Sequence, residues 1–103
     1  VKKLVSLYPI TIDNHSFTAV SVQLPKTNLL AVMSDKGYIM CGALDVALLN
    51  DKLKDRGILA GRAVGVKTID QLLHAPLESI TIEAEKQGIT VGMIGKEALL
   101  KMI

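Results

Sequence analysis

The stretch GYIMCGALD, residues 37–45, is where this chain changes character. An apolar run, Tyr38-Ile39-Met40, ends at Cys41-Gly42, and a helical pattern begins at Ala43. Everything upstream reads as strand and turn. Downstream, helices alternate with shorter strands. Strands first, then helices interspersed with strands, predict an α+β domain: a two-layer α/β sandwich whose single mixed sheet carries its helices mainly on one face.

Upstream, Leu4 to Ile12 is rich in β-formers but holds Pro9, which cannot donate to a ladder and so places this strand at an edge or a break. The cluster Asp13-Asn14-His15-Ser16 is a turn. Phe17 to Leu24 alternates, with Thr18, Val20, Val22 and Leu24 on one face and Phe17, Ala19, Ser21 and Gln23 on the other, so it pairs with the first strand in a hairpin. Pro25-Lys26-Thr27-Asn28 turns the chain. Leu29 to Met33 is a continuous apolar run suited to a central strand. Ser34-Asp35-Lys36-Gly37 is a second tight turn, and Tyr38 to Cys41 returns as the fourth strand.

Beyond the seam, Ala43 to Arg56 carries an apolar stripe of Leu44, Ala47 and Leu48, with Gly57 as its C′ residue. Ile58 to Val66 reads as a strand on which Gly61, Ala63 and Gly65 share a bare face, implying a close approach. Thr68-Ile69-Asp70-Gln71 fits a capping box, and the helix it opens ends near His74 because Pro76 disfavours helix at Ala75. Pro76 then opens a helix running to Gln87, capped by Gly88. Ile89 to Val91 is a short strand, and a last amphipathic helix starts at Gly95.

With 103 residues the chain is one domain, residues 1–103. Half of those residues are apolar and mean hydropathy is +0.39, while aromatics are reduced to Phe17, Tyr8 and Tyr38. The core must be aliphatic, and the excess apolar surface of so small a domain predicts a homo-oligomer. Net charge is +2 with no block of one sign. Without aromatic platforms or a basic stripe, nucleic-acid binding is not expected. Val1-Lys2-Lys3 is followed by alternation and Pro9 rather than an apolar h-region, so no signal peptide is expected. No apolar window is long enough to span a membrane. One cysteine forms no internal disulfide, which suits the cytoplasm.

Two seams could carry chemistry. At the first, the lone thiol of Cys41 precedes a predicted helix start, where an anion is stabilised and a thiolate activated. Gly42 and Ala43 are small enough to leave backbone N–H groups open to a ligand. Cys41 is thus the candidate nucleophile, set against the alternative that it is a packed core residue. At the second seam, Gly61-Arg62-Ala63-Val64-Gly65-Val66-Lys67-Thr68 resembles a phosphate loop but lacks its spacing: three residues separate the glycines and Val66 splits Gly65 from Lys67. Arg62, Lys67 and the Thr68 hydroxyl remain candidate ligand contacts for a small anion. A buried Arg62 would need a carboxylate, such as Asp45 or Asp70. His15 is expected in solvent and His74 as a helix-end cap. No CxxC, HxxxH or clustered acids predict a metal site, and no cofactor is expected.

The segments GYIMCGALDVALLN and GRAVGVKTIDQLLHAPLESIT, with PITIDNHSFTAVSVQLPKTNLLAV before them, resemble the YunC-like family of bacterial and archaeal proteins, a domain of unknown function. The resemblance covers nearly the whole chain. It implies a two-layer α/β sandwich and carries no assigned activity or catalytic residue. Two functions stand open: a small-molecule or anion binder, with or without catalysis, built on the two seams, or a non-catalytic homo-oligomeric module. Cys41 and Arg62 on one concavity would favour the first; both sealed by aliphatic contacts would favour the second.

Overall fold

A computed structural model describes residues 5–25, 27–42 and 56–103. Six strands form one sheet in sequence order: β1 (Val5–Ile12), β2 (His15–Leu24), β3 (Thr27–Met33), β4 (Gly37–Met40), β5 (Leu59–Arg62) and β6 (Ser79–Ile80). Neighbours run antiparallel except β4 and β5, which are parallel, with Ile39 opposite Gly61. The described helices are α1 (Ile69–His74), α2 (Ile82–Lys86) and α3 (Gly95–Leu100). The fold is the mixed-sheet α+β class that the order of patterns predicts. The helix expected over 43–56 falls almost wholly outside the described residues; Gly57, expected as its C′ residue, has φ +59°.

Local chemistry explains the turns. Asp13 and Asn14 both have positive φ, 49° and 67°, the conformation a two-residue hairpin of the primed kind requires. His15 and Ser16, expected in the turn, belong to β2. Pro9 sits on β1, at the sheet edge where its missing donor costs least. At the β3–β4 turn, the Ser34 hydroxyl accepts from the N–H groups of Lys36 and Gly37, both at 3.1 Å, and donates to the Met102 carbonyl at 2.7 Å. One side chain therefore shapes the turn and pins the chain's C-terminal stretch to it.

The core lies on one face of the sheet. Phe17, Ala19, Leu30, Val32, Ile39, Cys41, Leu59 and Ala63 meet Leu72 of α1, Ala84 of α2 and Leu99 of α3, with Leu77, Ile89 and Met102 filling between. Each large aliphatic side chain withdrawn there contributes about 1.5–3 kcal/mol. The glycines allow close approach: a Cβ at Gly61 would lie 2.7 Å from Leu77 Cδ1, and one at Gly95 would press on the Leu72 carbonyl.

Three expectations are corrected. No helix spans Pro76–Gln87. Pro76 bridges Ile94, the Glu78 N–H donates to the Arg62 carbonyl at 2.7 Å, and the Thr81 N–H donates to that of Ala60. β6 completes the sheet edge, and these pairings outweigh helix propensity. The helix starts at Ile82 because Thr81 caps it. Buried at 2% exposure, the Thr81 hydroxyl accepts from the N–H of Ala84 at 3.2 Å and of Ala60 at 3.1 Å. Ile89 to Val91 is not a strand. Gly88, φ +87°, ends α2 as predicted, with Gly88 N–H to Glu85 and Ile89 N–H to Ala84 closing a Schellman motif that drives Ile89 into the core. The fifth strand stops at Arg62 rather than Val66, and Gly65 (φ +75°) lies in the exposed turn beyond it, with open space where a side chain would sit.

Candidate functional site

The first seam is closed. Cys41 is 5% exposed within the core cluster, and its sulfur accepts from the Leu30 N–H at 3.4 Å and faces the Asn28 carbonyl at 3.7 Å. Those contacts continue the β3–β4 pairing one residue past β4, where the Cys41 N–H also donates to Leu30 at 3.0 Å. Gly42 is exposed, and Ala43 lies outside the described residues.

Arg62 does not join the thiol. It alternates with Gly61 and Ala63 and so faces the other side of the sheet, where its Nε lies 3.2 Å from Glu78 Oε2. Its carboxylate is therefore Glu78, not Asp70, which instead stands beside His74; Asp45 is outside the described residues. The β5–β6 register sets Ser79 opposite Arg62, and the Glu78 N–H donates to the Arg62 carbonyl at 2.7 Å, which holds Glu78 beside that residue. Half-exposed as both side chains are, the pair is worth at most about 1 kcal/mol. His74 Nδ1 lies 2.8 Å from the Asp70 carbonyl, the helix-end cap its position predicts.

The second seam divides its residues between structure and an open surface. Thr68 caps α1, its hydroxyl accepting from the Gln71 N–H at 3.1 Å. The Gln71 side chain accepts from the Lys67 N–H at 2.8 Å, one residue earlier than a standard capping box would have it. Those groups are consumed by the turn. The Lys67 side chain is not: it forms no ion pair with a described residue. Lys67 lines a groove of about 490 Å³ together with Gly65, Val66, Leu24, Thr27 and Asn28.

The groove sits at the carboxyl ends of the parallel strands β4 and β5, where open α/β sheets place ligands. Lys67 and Gly65 come from the chain leaving β5; Thr27 and Asn28 come from the start of β3, which lies antiparallel beside the end of β4. Of the residues named from sequence, the groove takes Lys67 and leaves aside Cys41, Gly42, Arg62 and Thr68. In the sequence Thr27 and Asn28 read only as a turn, and no local motif marks them, because their neighbours in the groove are about forty residues away along the chain. No group of three or more His, Cys, Asp or Glu able to hold a metal occurs among the described residues, and no described helix is long and apolar enough to cross a membrane.

The profile of a domain of unknown function (DUF1805) matches residues 40–102. The chain is 71% identical over 100 residues to the uncharacterized protein YunC of Bacillus subtilis (strain 168), covering 97% of this chain and 99% of that protein. It is also similar to the crystal structure of TA1206, a protein of unknown function from Thermoplasma acidophilum. There the TM-score is 0.86 at 30% identity, covering 96% of this chain and 93% of that one. Sheet, helices and both seams fall within these matches, and the chain belongs to the DUF1805 family together with its YunC relatives.

Proposed function

We propose that this protein binds a small anionic molecule in the groove at the carboxyl ends of β4 and β5, with Lys67 as the charge anchor. One observation carries the reading: a cleft of about 490 Å³, within the range of small-molecule sites, holds a lysine with no ion-pair partner among the described residues and no acid among its described lining residues. The proposal assigns binding and no reaction, since the thiol that would supply a nucleophile is sealed on the core side of the sheet. A melting-temperature screen of small anions tests it. Ligands that raise the midpoint of the wild type should fail to raise that of Lys67→Glu, because stabilisation follows occupancy. Equal shifts in both proteins would contradict the assignment.

A second reading, self-assembly in the cytoplasm, is favoured by the opposite sheet face. Val5 and Leu7 are 62% and 69% exposed, and Leu24 and Met33 share their face, with half-buried Val20, Val22 and Leu29 among them. No charged residue stands on the described β1–β4 positions of that face, so a second copy could press against it without burying an unpaired charge. Sedimentation at micromolar concentration should give a mass above 11.1 kDa, lowered by Leu7→Glu; a clean monomer defeats this reading.

A further inference from the structure

Resting on the anion-binding reading above, the lining of the Lys67 groove narrows the ligand class: we infer that it takes an amphipathic monocarboxylate, a single carboxylate on a short apolar body. Among the described lining residues, Lys67 is the one ionic side chain. Its backbone N–H is already held by Gln71, so it adds no amide donor to a bound anion. Phosphate sites assemble several backbone N–H groups or an arginine fork around a dianion, and the described lining holds no arginine. One ammonium, assisted by the Asn28 amide and the Thr27 hydroxyl, matches one negative charge. The side chains of Thr27 and Asn28 form no hydrogen bond with a described residue, so both remain available to a ligand.

Leu24 and Val66, also among the described lining residues, are aliphatic. Leu24 is 46% exposed, and Val66 reaches from the groove back to the core cluster. Apolar walls beside a cation suit a carboxylate that carries hydrocarbon better than inorganic phosphate, which has no apolar part to set against them. Two further concavities lack this chemistry. One of about 320 Å³ beside Lys36 and Arg56, and one of about 160 Å³ beside Lys36 and His15, both include Asp35, which opposes an anion.

Titration calorimetry with three probes tests the inference: hexanoate, its neutral counterpart 1-hexanol, and inorganic phosphate. Lys67 is exposed, so Lys67→Gln should fold as the wild type does, which its melting curve verifies. Hexanoate is expected to bind the wild type about tenfold or more tighter than hexanol, the effect of one charge-assisted contact. Lys67→Gln should abolish that preference and leave hexanol unchanged. Phosphate bound more tightly than hexanoate, and lost in Lys67→Gln, would overturn the carboxylate assignment while leaving anion binding intact. Hexanol equal to hexanoate would overturn the role of charge. Failure of all three probes, or hexanoate binding indifferent to Lys67→Gln, would remove the groove as an anion site altogether.

Discussion

The ends of β4 and β5 lie side by side in one parallel pair, yet they meet opposite fates. Past β4, Cys41 keeps pairing with β3 and its sulfur is absorbed into the backbone network of Asn28 and Leu30. Past β5, Ala63 is still buried, but the chain then swings out through Gly65 and presents Lys67 to a groove. Reactivity and burial are thereby separated. The residue with the most chemical potential is sealed, and the residue that offers only a charge is free to meet a ligand. A seam is a binding site only when its polar groups are not already consumed by the fold, and here that condition distinguishes neighbouring strand ends.

If the sealed side is rigid and the open side is not a packing element, substitutions should divide sharply between them. The largest effect is expected at Thr81, whose hydroxyl serves the N–H groups of Ala60 and Ala84 in a buried position. Thr81→Val keeps the shape and orphans both donors, each at about 1–3 kcal/mol, so denaturant midpoints should fall steeply. Gly95→Ala comes next. Its new methyl meets the Leu72 carbonyl and Ile39 Cδ1, and overpacking of this kind costs about 1–3 kcal/mol. Gly65→Ala meets no atom at all; only its left-handed backbone resists, at about 1–2 kcal/mol. Gly65→Asn should recover part of that loss, which a packing explanation would not predict. Lys67→Gln should leave stability within about 0.5 kcal/mol of wild type.

The thiol provides a readout that does not depend on stability. At 5% exposure, Cys41 should resist iodoacetamide in the native protein and react on unfolding. Rapid native alkylation would erase the contrast between the two seams.

Much of the frame was legible in the residues because its signals are local. Alternation in Phe17–Leu24, the proline of the edge strand, the Thr68 cap and the glycine after α2 each act within a few positions. The failures share the opposite cause. Leu77 and Glu78 sit in a segment with helical propensity, yet the backbone of Leu77 pairs with Gly92 and Met93, the Glu78 N–H donates to Arg62 at the end of β5, and Gly61 opens the space that Leu77 occupies. Gly61 and Gly65 look alike in sequence, but one serves close packing and the other a positive φ. The choice of Glu78 for Arg62, and the meeting of Asn28 with Lys67, likewise depend on register between strands rather than on spacing along one of them.

The central claim, that the open end of β5 and not the thiol end of β4 receives a ligand, is tested most directly by a two-dimensional ¹H–¹⁵N map recorded during titration with hexanoate. Saturable shifts should concentrate at the amides of Leu24, Asn28, Gly65, Val66 and Lys67, leave those of Lys36 and Arg56 at the far end of the sheet in place, and vanish in Lys67→Gln. Shifts centred on Lys36 and Arg56, or the same pattern persisting in Lys67→Gln, would contradict the account.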